Sequence, residues 1–213
     1  LPLGPSREQG VVRGSRFYHG TMGFTVAFPT GWTVQNMASK VVASSPQKDA
    51  FLQLTAAAPP PGLQPRELVG RTLQGIPVSS SGPLEVNGLP GYAAVARDAG
   101  LPWGNRGPAR VAVVYFNQLA YTFSGASRLA SDFNATDPLL MSSIRTFRRL
   151  RDNELRLAEP NQIRLLKAGP GTRIEILARS SPIEKYPVER LRLLNDLYPD
   201  KEPAAGQWIK VVE

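Results

Sequence analysis

Histidine is the side chain best suited to acid–base and metal chemistry near neutral pH, and this chain has one, His19. A single imidazole excludes a His–His metal pair, and no neighbouring Asp, Glu or Cys completes a ligand set around it. A Ser-His-Asp triad would have only His19 to build on, and no Gly-x-Ser-x-Gly elbow presents a nucleophile. Ser45-Pro46-Gln47-Lys48 has the Ser-x-x-Lys spacing, but the partner motifs of that enzyme class are missing and Pro46 opposes a helix. Gly169-Pro170-Gly171-Thr172 has the glycines of a phosphate loop without its Gly-Lys-Ser/Thr ending, so it reads as a turn. No residue is assigned a catalytic or metal role, and no cofactor is expected in this chain. His19, beside Tyr18 in a Gly-rich stretch, reads as a surface residue.

The other concentration of chemistry is charge. The net charge is +8, and Arg145, Arg148, Arg149, Arg151 and Arg156 fall within a dozen residues. Such a cluster suits nucleic acid, anionic lipid or an anionic wall polymer, or is simply a solvated helix end and linker. Aromatic residues do not alternate with these arginines as single-strand binders require, so no nucleic acid partner is expected. With 213 residues, 42% apolar and 20% charged, the chain has the composition of a globular protein with one large or two small domains. The absence of cysteine rules out a disulfide framework or a thiolate metal site. The charge-free run Phe17 to Ser39 is long enough to span a membrane but is broken by Gly, Thr and Pro, so no transmembrane segment is expected. A start at Leu1 with no signal-peptide pattern is read as a mature product or an excised fragment.

The elements that must position any site fall into two regions. Residues 1–20 read as an arm or linker. From Gly23 the chain alternates Phe24, Val26 and Phe28 with Thr25 and Ala27, a half-buried strand ended by Pro29 and Gly31. Trp32 to Val34, Val41 to Ala43 and Phe51 to Leu54 follow as strands, and Pro65 to Leu73 as a short helix. Leu84 to Val86 and Gly91 to Arg97 flank Asn87-Gly88, a strong hairpin turn; Arg110 to Phe116 and Ala120 to Ser124 flank Asn117-Gln118. Asp137 is expected to cap a helix with Pro138 in its first turn and Leu140, Met141, Ile144 and Phe147 on one face. The fold class is α+β, an antiparallel sheet flanked by helices, over 21–150. Residues 151–160 read as a linker and 161–213 as a small βααβ domain.

In that small domain Ile163 to Lys167 is a strand stopped at Gly169 to Gly171, and Thr172 is suited to cap the helix behind it. Ile174, Leu177 and Ala178 lie on one helix face; a second helix opens at Pro187 with Val188, Leu191 and Leu194 inward. Trp208 to Val212 closes as a strand. Gly169 to Thr172, Ile176-Leu177-Ala178, Asn195-Asp196-Leu197 and Gly206-Gln207-Trp208-Ile209-Lys210-Val211 together resemble the LysM module. Gly171 stands where that family usually has Asp, Ala205 replaces a Pro, and the segment between the helices is longer than usual. The resemblance implies binding of peptidoglycan glycan strands between two edges, with Gly169, Gly171, Thr172, Asn195, Leu197 and Tyr198 as the contact residues. Thr172, Asn195 and Gly206 also serve caps and turns whether or not a sugar binds, and Trp208 suits either the core or a sugar face.

The Phe-Pro-x-Gly-Trp strand end at Phe28 to Trp32 resembles the PsbP-like fold. Joined to Ile-Arg-x-Phe-Arg at Ile144 to Arg148 and the LysM-like tail, it resembles the C-terminal, non-catalytic region of bacterial HtpX-family zinc metalloproteases. That resemblance implies a periplasmic or envelope location in a Gram-negative bacterium and a parent metallopeptidase whose HExxH zinc site lies outside this chain. It also implies contacts with the parent's own protease domain or an envelope protein. The alternative is a structural or regulatory module that packs on the protease domain or a partner without binding glycan.

Overall fold

The computed structural model describes residues 2–3, 10–183 and 185–213, which form two compact units, one within Arg7–Ala158 and one of Glu159–Glu213 with the strand β1 (Pro2–Leu3). The larger unit opens on β2 (Val11–Arg13), β3 (Arg16–His19) and β4 (Phe24–Ala27). Next come β5 (Thr33–Asn36), β6 (Val41–Ser44), β7 (Ala50–Ala57) and the helix α1 (Pro65–Thr72). Four long strands follow, β8 (Val78–Val86), β9 (Leu89–Gly100), β10 (Arg106–Phe116) and β11 (Leu119–Ser127). Helix α2 (Phe133–Arg145) and the two-residue β12 (Arg148–Arg149) lead to a 3-10 helix at Asp152–Ala158.

Seven of these strands form one sheet in the order β5-β6-β7-β11-β10-β9-β8, and four form another, β12-β4-β3-β2. Every pairing among the described residues is antiparallel. The hairpins sit where the turn chemistry puts them: Asn87 and Gly88 have φ of 51° and 78°, and Asn117 and Gln118 have 47° and 62°. Two successive left-handed residues give the turn whose twist matches the flanking strands. Strand β10 is buried on both faces. Ala112, Val114 and Phe116 join Phe24, Phe123, Leu140, Ile144 and Phe147 in the main core. Val111 and Val113, on the other face, pack with Val69 and Leu73 of α1. Phe147 anchors an aromatic cluster, with ring centroids 4.7 Å from Tyr121 and 5.2 Å from Phe24. Desolvation there pushes the Tyr121 hydroxyl up to about 12.

Three sequence expectations are corrected in this unit. Residues 11–19 are not an arm: Val11, Phe17 and Tyr18 are buried, and Arg13 pairs with Arg16 across a Gly14-Ser15 turn. Short β-prone runs, Val11-Val12 and Phe17-Tyr18, on either side of a two-residue turn make a hairpin, which then docks on β4. Residues 152–158 form the 3-10 helix, with Ala158 packed on Tyr18 and Leu150. Helix α2 begins at Phe133, so Pro138 lies inside it and Asp137 caps nothing. The Asp137 carboxylate instead accepts both a 2.7 Å bond from Arg110 Nε and a bond from Arg110 Nη2. Burial of Phe133, Leu140 and Ile144 on the sheet offsets the hydrogen bond that the proline removes.

The smaller unit contains β13 (Asn161–Lys167), α3 (Ile174–Ser180), α4 (Pro187–Leu194) and β14 (Trp208–Val212). β13 is the middle strand of a three-stranded sheet, between β1 and β14. Ile174 and Ala178 of α3, Leu191 of α4, Leu197 and Val212 make its core.

Candidate functional site

The turn between β13 and α3 is built from its own backbone and one hydroxyl. Ala168 is fixed on both sides: its N–H donates to Gln207 O at 2.8 Å, and its carbonyl accepts from Gly206 N–H at 2.7 Å. Gly171 has a φ of +81°, a left-handed conformation that a side chain in this turn would strain. Thr172 does not cap α3. Its Oγ1 accepts the Gly169 N–H at 2.8 Å, and the residue at the helix entry is Arg173, whose side chain makes no cap. The first free amide of α3 is taken from a distance, by Glu202: Ile174 N–H donates to Glu202 Oε2 at 2.7 Å. That bond, with the Arg192 guanidinium at 2.7 Å, holds the Glu202 carboxyl below its ordinary pKa.

Of the six residues singled out in the sequence, three are committed to the fold. Asn195 joins α4 to β14: its Nδ2 donates to Leu191 O and Lys210 O, each at 2.8 Å, and its Oδ1 accepts Lys210 N–H at 2.6 Å. Leu197 is buried in the small core. Thr172 closes its own turn. Gly169 and Gly171 lie on the outside of that turn, with no contact within 4 Å of a Cβ built at Gly171. Tyr198 is the one large side chain among the six that faces solvent, at 55% exposure.

The loop after α4 links the two edges. Lys201 N–H donates to Leu197 O at 2.9 Å, Arg192 Nη1 donates to Pro199 O at 3.2 Å, and Glu202 reaches the start of α3. The chain from Tyr198 to Glu202 therefore runs between α4 and the end of the Gly169 to Thr172 turn. Sequence reading missed Arg192 and Glu202. A carboxylate in a polar loop carries no local signal that it serves an amide twenty-eight residues away.

Elsewhere, the candidates set aside in the sequence have structural duties. Ser45 is buried, and its Oγ accepts the N–H groups of Asp49 and Ala50, each at 3.0 Å, while Lys48 turns the chain with a φ of 58°. Arg148 forms a bidentate pair with Glu154, at 2.7 and 2.6 Å, which holds the Glu154 carboxyl down at about 2. Arg149 lies 5.6 Å from the Phe116 ring centre. Arg145, Arg151 and Arg156 have no side-chain hydrogen bond or ion pair among the described residues. His19 is not on the surface: it is 8% exposed, a correction that follows from its place in β3.

The chain matches no family profile and no curated protein. Among solved structures it is similar to cyanobacterial PsbP from Synechocystis, 16% identical with a TM-score of 0.48 over 66% of this chain and 95% of that one. It is also similar to a protein from Bacteroides thetaiotaomicron, 12% identical with a TM-score of 0.46 over 71% and 53% of the two chains. A protein of unknown function from Pseudomonas aeruginosa aligns at 12% identity and a TM-score of 0.41, over 54% of this chain and 94% of that one. At such identities likeness concerns architecture, here mixed α and β with antiparallel sheets and few helices.

Proposed function

We propose that the chain is a non-catalytic accessory region of an envelope zinc metalloprotease, and that its βααβ unit holds peptidoglycan glycan strands. The observation that carries this reading is the loop of Tyr198. An exposed aromatic ring on a loop whose Glu202 bonds the start of α3, just past the Gly169 to Thr172 turn, suits a sugar ring stacked on the aromatic face. A preformed loop pair also lowers the ordering cost of binding. The larger unit, in this reading, is a PsbP-like interaction domain for the parent protease or an envelope protein. Its support is the Phe28 to Trp32 motif in an antiparallel sheet flanked by helices. The test is co-sedimentation of the full chain with purified insoluble peptidoglycan at low and physiological salt. Pelleting at both salts supports the reading; pelleting that vanishes with salt is charge attraction alone.

A second reading rests on a different observation. Leu165 and Trp208, on one face of the small sheet, are 65% and 63% exposed. Exposed apolar side chains this close suit a protein partner, as a structural or regulatory module requires. No pelleting of the native chain on peptidoglycan, with binding to the parent's protease domain that is lost in a folded Leu165→Ser, Trp208→Ser double variant, would favour it.

A further inference from the structure

A pocket of about 260 Å³, half open to solvent, lies in the larger unit, between the turn joining β5 to β6 and the hairpin of β3 and β4. Phe17, Phe24, Val41, Leu54, Met22 and Met37 supply apolar walls, and the imidazole of His19 lines it as well. The ring is fixed on three sides. It stacks on Phe24 with centroids 5.6 Å apart at 27°, meets Phe17 edge-on at 6.0 Å, and accepts the Met22 N–H at Nδ1 at 3.2 Å. With Nδ1 an acceptor, the proton of the neutral ring sits on Nε2. That N–H has no hydrogen-bond partner among the described residues, and because it is not one of the fully buried unpartnered atoms it stays open to the pocket.

The lining has no carboxylate, and its single cation, Lys40, already donates from Nζ to Gln53 Oε1 at 3.1 Å. Burial lowers the His19 pKa, which keeps the ring uncharged at neutral pH. A donor that opens into a mostly apolar pocket gains a net bond when a ligand acceptor replaces water there.

We propose that this cavity binds a small uncharged molecule, aromatic or branched aliphatic, through one acceptor oxygen that takes the His19 Nε2–H. Scaled from benzene in a cavity of about 150 Å³, its size suits a ligand of roughly ten non-hydrogen atoms. The site is separate from the glycan reading and stands if that reading fails.

The test uses the fact that His19 is the chain's single histidine, so its imidazole signals in a long-range ¹H–¹⁵N spectrum need no assignment. The full chain is titrated with acetophenone and with ethylbenzene, which match in shape and differ in the carbonyl. The expected result is a saturable movement of the Nε2 resonance with acetophenone and an affinity roughly five- to tenfold above that for ethylbenzene. In a folded His19→Phe variant that preference disappears. Equal affinities in the native chain, or no movement of Nε2 up to the solubility limit of acetophenone, overturns the proposal whether or not the variant folds. Tighter binding of benzoate than of acetophenone would overturn the uncharged class.

Discussion

Asn195 and Tyr198 stand three residues apart and carry opposite expectations. Replacing Asn195 with alanine removes the two bonds it donates to Leu191 O and Lys210 O and leaves the Lys210 N–H, held at 2.6 Å, without its acceptor. Net contributions of about 0.5–1.5 kcal/mol per bond, reduced because the groups are partly wetted, give a loss of about 2 kcal/mol. Since ~1.4 kcal/mol is tenfold, opening of β14 becomes some twenty- to thirtyfold more frequent. Hydrogen exchange of the full chain reads this at the Lys210 amide, which is tied to Asn195 alone. Tyr198→Ala, at an exposed position, changes stability by no more than about 0.5 kcal/mol and leaves that amide as slow as in the native chain. In peptidoglycan pelleting the order is reversed in meaning: Tyr198→Ala loses binding while folded, whereas any loss in Asn195→Ala follows its loosened strand. Unchanged Lys210 exchange in Asn195→Ala refutes the bridging role.

Three further outcomes follow from the packing. Glu154 has a folded pKa of about 2 against an ordinary 4.5, so its pairing stabilises the larger unit above that ordinary value and is lost as pH falls through this window. The shift corresponds to ~3 kcal/mol, which screening at a solvent-touched pair reduces to about 1–2 kcal/mol; acid unfolding monitored by circular dichroism should flatten over this range in Glu154→Gln. Gly10 has a φ of +79°, and a Cβ there would lie 2.5 Å from Phe17 Cζ and 2.9 Å from Tyr18 O, so Gly10→Ala costs on the order of 2–3 kcal/mol in urea denaturation. Arg110→Ala strands the Asp137 carboxylate, whose side chain is 21% exposed, and lowers the stability of the larger unit by about 1–3 kcal/mol; a native-like urea midpoint counts against the α2–β10 tie.

How far the chain could be read depends on the range of the interaction that fixes each part. The two long hairpins and both small-unit helices rest on local signals, the turns at Asn87-Gly88 and Asn117-Gln118 and the spacing of Ile174, Ala178 and Leu191, and they were legible. The hairpin at 11–19 was locally encoded too, but Gly10 and Gly14 disguised it as a linker. The start of α2 was not legible, because Asp137 answers to Arg110, twenty-seven residues before it. In the candidate site the turn and the aromatic ring could be found from the sequence. The clamp of Arg192 and Glu202 could not, since each needs a partner that only the folded loop supplies. His19 was legible as a rare residue and illegible as a buried one.

The most direct measurement is a chemical-shift titration of the full chain with a soluble N-acetylglucosamine oligomer. Saturable movements confined to the backbone of Gly169 to Thr172 and to Tyr198, absent in Tyr198→Ala, are the predicted result. Shifts that never appear at millimolar oligomer, or that gather on the β13–β14 face around Leu165 and Trp208, contradict the glycan reading of this unit.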